Sequence, residues 1–459
     1  MVQGKATPAP APSSENRRDD NLARNEVESK PTEYPTPRQR SASWMPPRLA
    51  DSKKRKPVGS GISPRWLDDG RGRPHPNLAN VLTTLRALPE VVNAFAYDEI
   101  ARAPVLLREL PIAPGGQAVA GSLPRPVRDE DVSQLQEWLQ HRGLANVSRD
   151  VTHQAVDQRA RECAFHPVRD YLEQLIWDGQ PRLDRWLTVY LGATDTAYSR
   201  GIGRLFLIAM VARIFEPGTK ADYMLVLEGV QGVGKSRACR ALAGIWFSDS
   251  LPDIRNKDAA QHLRGKWLVE VAELSAIRKA DAEALKSFIS RTEERYRPAY
   301  GRKDVFEPRQ CVLVGTTNRS AYLRDETGAR RFWPVKVGQI YVDALARDRD
   351  QLFAEAVAAY RTGEQCWPDA AFERQHIAPE QRQRFDADPW EGSIKEYVVG
   401  RDRVNVTEIA VNALGFDAIA KVRAADQRRI GAVLAEMGWT QNRTAKERFY
   451  QRPRGSDDA

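Results

Sequence analysis

The residues Gly229-Val230-Gln231-Gly232-Val233-Gly234-Lys235-Ser236 follow the pattern G-x-x-x-x-G-K-S. Glycines at those positions let the backbone wrap with its N–H groups pointing inward, which is how a loop cradles phosphates. Lys235 is placed to reach the β- and γ-phosphates of a nucleotide, and the Ser236 hydroxyl to ligate Mg²⁺. A helix starting there adds the partial positive charge of its N-terminus. The mechanism demands a strand before the loop and a helix after it. The apolar run Tyr223 to Leu227 has the length of a buried strand, and Arg237 to Leu242 continues as a helix. The expected ligands are ATP and Mg²⁺, with Gly229, Gln231, Gly232, Val233, Gly234, Lys235, Ser236 and Arg237 around the nucleotide.

Such a loop needs an acid beside it, to hold the metal shell and polarise the attacking water. Lys266 to Glu273 reads as a second buried strand ending in a carboxylate. Glu273, at its C-terminal end, is the expected catalytic acid and, with Ser236, the expected metal ligand. Glu270 falls on the opposite face under period-2 alternation, and is either a second catalytic acid or a partner for a nearby arginine. A third strand, Gln310 to Gly315, runs into Thr316-Thr317-Asn318. Asn318 there can orient the lytic water and sense the γ-phosphate, or simply form a turn. Arg330 and Arg331 sit on a loop before Phe332-Trp333-Pro334. One of them can act as an arginine finger in a neighbouring subunit's site, or both can be structural ion pairs.

Together these stretches resemble the virulence-associated protein E family of phage and pathogenicity-island ATPases, which looks related to superfamily three helicases and phage-type primase-helicases. The matching blocks are LVLEGVQGVGKS (225–236), GKWLVEVAEL (265–274), ERYRPAYGR (294–302), PRQCVLVGTTN (308–318) and YLRDETGARRFWPV (322–335). A weaker likeness runs through 165–187. The resemblance implies an AAA+-like core using ATP and Mg²⁺, a homo-oligomeric ring (a hexamer), and a role in replicating mobile-element DNA. It also implies a DNA-contacting hairpin ahead of the sensor strand, at about 295–307. Arg295, Arg297, Arg302 and Lys303 alternate there with Tyr296 and Tyr300. Cations for phosphates and aromatics for base stacking suit single-stranded DNA, against the plainer reading of a solvated basic loop.

The elements that must position this chemistry form an α/β chain with a P-loop NTPase core. At 459 residues two or three domains are expected. Residues 1–60 hold nine of the 29 prolines and no apolar periodicity, so a disordered tail is expected, closed by the basic cluster Lys53 to Lys56. Residues 61–215 read as a mainly helical domain, 216–362 as the ATPase domain, 363–389 as a linker, 390–452 as a small winged-helix-like module and 453–459 as a tail. The last module carries Arg428, Arg429, Arg443, Lys446, Arg448 and Arg452, which suits duplex DNA or a protein partner. Residues 61–215 lack the clustered carboxylates or zinc-type cysteines of a primase, so a separate primase is the candidate partner for that step.

A net charge of +9 favours an anionic partner. Four scattered cysteines point to a reducing interior. The run Leu205 to Val211 is too short for a bilayer, and the expectation is a cytoplasmic protein with no membrane partner. DNA-stimulated, helicase-like ATPase activity is the leading expectation. A nucleotide-gated switch or defence ATPase stands second, and a small-molecule P-loop kinase third.

Overall fold

The computed structural model describes residues 65–254, 257–274, 279–297, 304–320, 322–323, 329–384, 389–444 and 447–452. The first 60 residues, Tyr300, Arg302, Lys303 and Lys446 lie outside them. So does the stretch 324–328 ahead of the paired arginines.

The N-terminal part opens with helix α1 (Leu78–Ala87), whose N-terminus Asn77 caps by accepting from the Asn80 amide. Strands β1 (Phe95–Asp98), β2 (Ala103–Leu106) and β3 (Arg125–Pro126) follow, then helices α2 (Asp129–His141) and α3 (Arg149–Glu162) and strand β4 (Ala164–Phe165). The sheet order is β3-β2-β1-β4. Helices prevail in this part, and the small sheet is the feature not expected, because strands of two to four residues are too short to show alternation in sequence. Val81, Leu85, Phe95, Leu106, Leu135, Leu139 and Val156 close this core.

Helices α4 (Pro167–Gln174), α5 (Trp186–Leu191) and α6 (Ala197–Phe215) come next. They do not end a domain at residue 215. Phe206, Leu207, Met210, Val211 and Ile214 of α6 share one buried cluster with Leu225 and Leu227 of the P-loop strand. The short apolar run is therefore a core helix lying on a sheet, and the division at 215/216 cuts through a single core.

That sheet contains β5 (Met224–Glu228), β6 (Phe247–Ser248), β7 (Leu268–Val271), β10 (Val312–Thr317) and β11 (Phe332–Lys336). All are parallel, in the order β11-β5-β10-β7-β6. Helices α7 (Lys235–Ala243), α8 (Lys257–His262), α9 (Lys279–Ile289) and α10 (Val342–Arg361) cover it. Successive strand residues alternate between faces. Leu225, Leu227, Leu268, Val312 and Val314 pack with α6, α7 and α10, whereas Met224, Val226, Val269, Val271 and Leu313 pack with α9. Between β7 and β10 the chain adds an antiparallel ribbon, β8 (Glu293–Tyr296) with β9 (Val305–Pro308).

The stretch expected as a linker is structured up to Arg384. Helix α11 (Ala378–Gln383) docks on β11, with Gln381 Nε2 donating to the Phe332 carbonyl at 2.8 Å. Arg384 then reaches the buried Glu228 at the end of β5, with Nε 3.1 Å from Oε1, and the Tyr322 hydroxyl donates to the same oxygen at 2.9 Å. The C-terminal module runs α12 (Glu391–Val398), β12 (Arg403–Val404), α13 (Val406–Asn412), α14 (Ala424–Glu436), β13 (Thr440–Arg443) and β14 (Arg448–Gln451). Its antiparallel sheet has the order β12-β14-β13. Trp439 and Tyr450 are buried in its core with Ile409, Ile430 and Leu434. At Gly431 a Cβ would stand 2.4 Å from the Tyr450 hydroxyl, so a side chain there would have to displace that ring.

Candidate nucleotide site and hairpin

Strand β5 is fully buried and delivers the chain into the glycine loop at the C-terminal edge of the sheet. Gly232 and Gly234 have φ of +82° and +104°, values that glycine adopts without strain. The loop's first residue is tied down, Gly229 N–H donating to the Thr317 carbonyl at 3.2 Å. Helix α7 starts at Lys235, as the motif requires. Gln231, Gly232, Ser236 and Arg237 are exposed, and Val233 is half-buried. The Lys235 ammonium donates to the carbonyls of Gly229 (2.7 Å) and Val230 (3.0 Å) and to Oδ1 of Asn318 (3.0 Å). Burial pulls its pKa down, and the Glu270 carboxylate opposes that shift.

The acid beside the loop is Glu270. The Ser236 hydroxyl and the Thr316 hydroxyl both donate to its Oε1, each at 2.7 Å. Its Oε2 is buried and meets no hydrogen-bond partner among the described residues. Alternation explains the placement. Glu270 follows Leu268 onto the face that α7 covers, and Thr316 follows Val312 and Val314 onto the same face. The expectation that Glu273 stands beside Ser236 is corrected. Glu273 is exposed beyond the end of β7, with φ of +52°. A non-glycine residue held there costs about 1–2 kcal/mol, a strain that tends to gather at functional sites. The alternative of an arginine partner for Glu270 is also corrected, since its two partners are hydroxyls. Thr316 is the residue that sequence reasoning missed. A threonine inside a fully buried strand, two positions before Asn318, was the available signal.

Arg330 and Arg331 close a 3₁₀ turn at Ala329–Arg331 that leads into β11. Arg331 is engaged within its own chain, its Nε donating to Ser290 Oγ at 2.8 Å. Arg330 is exposed.

The ribbon has two unlike faces. Glu294, Tyr296 and Glu307 turn inward, and Arg295, Arg297 and Phe306 outward. Tyr296 is 6% exposed and packs against Arg264, whose guanidinium lies 5.2 Å from the ring centroid. Burial and the adjacent Glu307 carboxylate push its phenol up to about 12. Its expected role as a base-stacking residue is therefore corrected to a structural one. Arg295 pairs with Asp304 at 3.0 Å and covers Phe306 at 4.8 Å. Among the described residues, Phe306, 52% exposed, is the aromatic that the outer face presents. Beneath the ribbon, Arg309 is buried and its Nε donates to Glu294 at 3.0 Å, while Arg264 Nη2 donates to Glu307 at 2.7 Å. The β1–β2 turn of the N-terminal part joins this base, with Arg102 Nε 3.6 Å from Glu307.

No helix among the described residues is long and apolar enough to cross a membrane. No curated protein matches the chain. Among solved structures, one described as the apo NrS-1 C-terminal region is 12% identical with a TM-score of 0.41, covering 78% of this chain and 95% of that one. A RuvB mutant from Thermotoga maritima is 16% identical with a TM-score of 0.21, covering 55% and 92%. Residues 172–386 match the family model of the virulence-associated protein E-like domain. That span begins in the helices on the sheet and ends just after the Arg384–Glu228 contact, enclosing every element of the site. Over residues 172–386 the chain is thus similar to the virulence-associated protein E-like domain.

Proposed function

We propose that this chain is an ATP-hydrolysing, DNA-stimulated motor of helicase type, serving replication of a phage or other mobile element. The observation that supports the reading most is the meeting of Lys235, Ser236, Glu270 and Asn318 at one edge of the parallel sheet. Ligands of open α/β sheets bind at the carboxyl ends of the strands. Glu270 Oε2, a buried acceptor with no donor among the described residues, is what a hydrated cation would satisfy. Mg²⁺, held by Ser236 and Glu270, would neutralise charge on the phosphates of bound ATP. Lys235 exchanges its neutral loop carbonyls for phosphate oxygens. Glu273 polarises the attacking water, and Asn318 orients it.

The outer face of the ribbon, with Arg295, Arg297 and Phe306, contacts single-stranded DNA by charge and stacking. The C-terminal module has the helix–strand–helix–helix–strand–strand order of a winged helix, with Arg428, Arg443 and Arg448 exposed, and is assigned to duplex DNA. The test is steady-state ATP turnover with and without single-stranded DNA. Stimulation is expected in the wild type, diminished in Arg295→Ala and Phe306→Ala, with turnover absent in Lys235→Ala. Turnover indifferent to DNA would favour a nucleotide-gated switch instead. Duplex binding lost on replacing Arg443 and Arg448 together, with turnover retained, would support the C-terminal assignment. Unchanged duplex binding would remove it.

In a ring, Arg330 rather than the engaged Arg331 is assigned to the neighbouring subunit's phosphates. An arginine finger is worth roughly three to five powers of ten in rate. Arg330→Ala alone should be nearly inactive, and mixing it with Lys235→Ala should restore part of the turnover through hybrid interfaces. Full activity of Arg330→Ala would rule out the finger.

A further inference from the structure

The two oxygens of Glu270 are chemically unequal. Oε1 takes two hydroxyl hydrogens, from Ser236 and Thr316, both at 2.7 Å. Oε2 is buried without a donor among the described residues. The two hydroxyls come from elements of different character. Ser236 stands at the start of α7, on the loop that the ATPase reading gives to phosphate, and its oxygen is also the one that reading offers to a cation. Thr316 lies on β10, hydrogen-bonded on both sides by β5 and β7, and is 6% exposed. In the ladder Glu270 pairs with Val314, so Thr316 is its diagonal neighbour on the same face. A glutamate's terminal torsion is broad and roughly two-fold. One hydroxyl contact leaves the carboxylate plane free to turn about that point, and a second on the same oxygen pins it.

We infer that Thr316 is a positioning residue for the metal-binding acid: its hydroxyl fixes Glu270 Oε1 to the rigid centre of the sheet, so that Oε2 stays turned toward the Mg²⁺ shell. The inference rests on the ATPase reading above. It makes Thr316 specific to the metal step, because among the described residues its hydroxyl donates to Glu270.

The experiment is an Mg²⁺ titration of the full chain as wild type, Thr316→Val, Thr316→Ser and Lys235→Ala, read both as ATP turnover at saturating ATP and as the Mg²⁺-dependent rise in melting midpoint with a non-hydrolysable ATP analogue bound. Thr316→Val keeps the branched shape and deletes the donor. Its half-saturating Mg²⁺ concentration should rise by roughly tenfold, the order expected for one lost hydrogen bond to a charged group. Saturating Mg²⁺ should recover most of the turnover. Thr316→Ser, which keeps the hydroxyl, should titrate near the wild type. A variant that merely loosens the sheet would lower turnover at every Mg²⁺ concentration without moving the midpoint. If Thr316→Val melts well below the wild type, Thr316→Ala is read in the same titration. An unshifted midpoint in a folded Thr316→Val or Thr316→Ala, or an equal shift in Thr316→Ser, overturns the inference. Wild-type turnover no greater than that of Lys235→Ala would overturn the ATPase reading itself, and this inference with it.

Discussion

Lys235→Ala is expected to weaken ATP binding by roughly 100-fold or more while leaving the fold standing. The ammonium is directed into the glycine loop, with three acceptors at 2.7–3.0 Å and 8% exposure. Hydrogen bonds to charged groups contribute about 1.5–3 kcal/mol each, and every 1.4 kcal/mol is tenfold in affinity. Losing one or two phosphate contacts therefore removes about 3 kcal/mol. The folded protein without nucleotide loses less, because Lys235 pairs there with two carbonyls and an amide rather than with an anion, and its burial already works against the charge. The check is a pair of melting curves. ATP in hundredfold excess over its Kd stabilises a single site by about 2.7 kcal/mol, so ATP should raise the wild-type midpoint and leave Lys235→Ala where it was. A variant that melts like the wild type and is still stabilised by ATP would remove the phosphate role from this loop.

Much of the ATPase core was legible because its signals are local. A buried parallel strand is a continuous apolar run, a helix start follows directly, and the glycine loop is constrained residue by residue. Which face a side chain takes is a different matter. β7 is buried on both faces, so alternation separates Glu270 from Glu273 without saying which of them meets the loop. Only the position of α7, a long-range outcome, decides it. In the ribbon the alternation itself was sufficient. Arg295 and Arg297 share one face, and Tyr296 falls with Glu294 on the other, so treating cations and tyrosines as one mixed surface ignored a period of two. The N-terminal sheet was illegible for lack of length, with no strand above four residues. Glu228 carried a clue that went unread: an acid closing an apolar strand must find a partner, and Arg384 and Tyr322 supply it from far along the chain.

That contact, like the Arg102–Glu307 pair, attaches a neighbouring part of the molecule to the site's own strands. Arg384, directly after helix α11, grips Glu228, the residue immediately ahead of Gly229. Arg102 belongs to the N-terminal sheet's first turn and grips the base of the ribbon. Both are ion pairs with a carboxylate about 6% exposed, so removing one partner would leave a charge poorly solvated. The nucleotide edge and the base of the ribbon, which are separate sheets, are thus each tied by charge to a neighbouring part of the chain.

The two carboxylates of this edge should separate in their kinetics. Glu270→Gln keeps an acceptor for the Ser236 and Thr316 hydroxyls on its amide oxygen, which places the amide NH₂ where Oε2 now lies buried. A donor then faces the position assigned to the cation shell, and one negative charge is gone. Turnover should fall by about 10²–10³, the scale of losing one preorganised electrostatic contact to the transition state, and added Mg²⁺ should recover part of it. Glu273→Gln changes neither metal contact. It stands at the strand's exit with its backbone held at φ of +52°, and if it polarises the attacking water as proposed, its loss is worth about 10²–10⁴. That loss should appear in kcat alone, with ATP affinity and the Mg²⁺ midpoint unmoved. Measuring kcat, KM and the Mg²⁺ midpoint for both variants decides between the roles. If Glu273→Gln turns over like the wild type, Glu270 carries both duties. If instead Glu270→Gln keeps wild-type turnover and an unshifted midpoint, the hydroxyl-pinned carboxylate is a packing element, and the metal must be held from elsewhere in the loop.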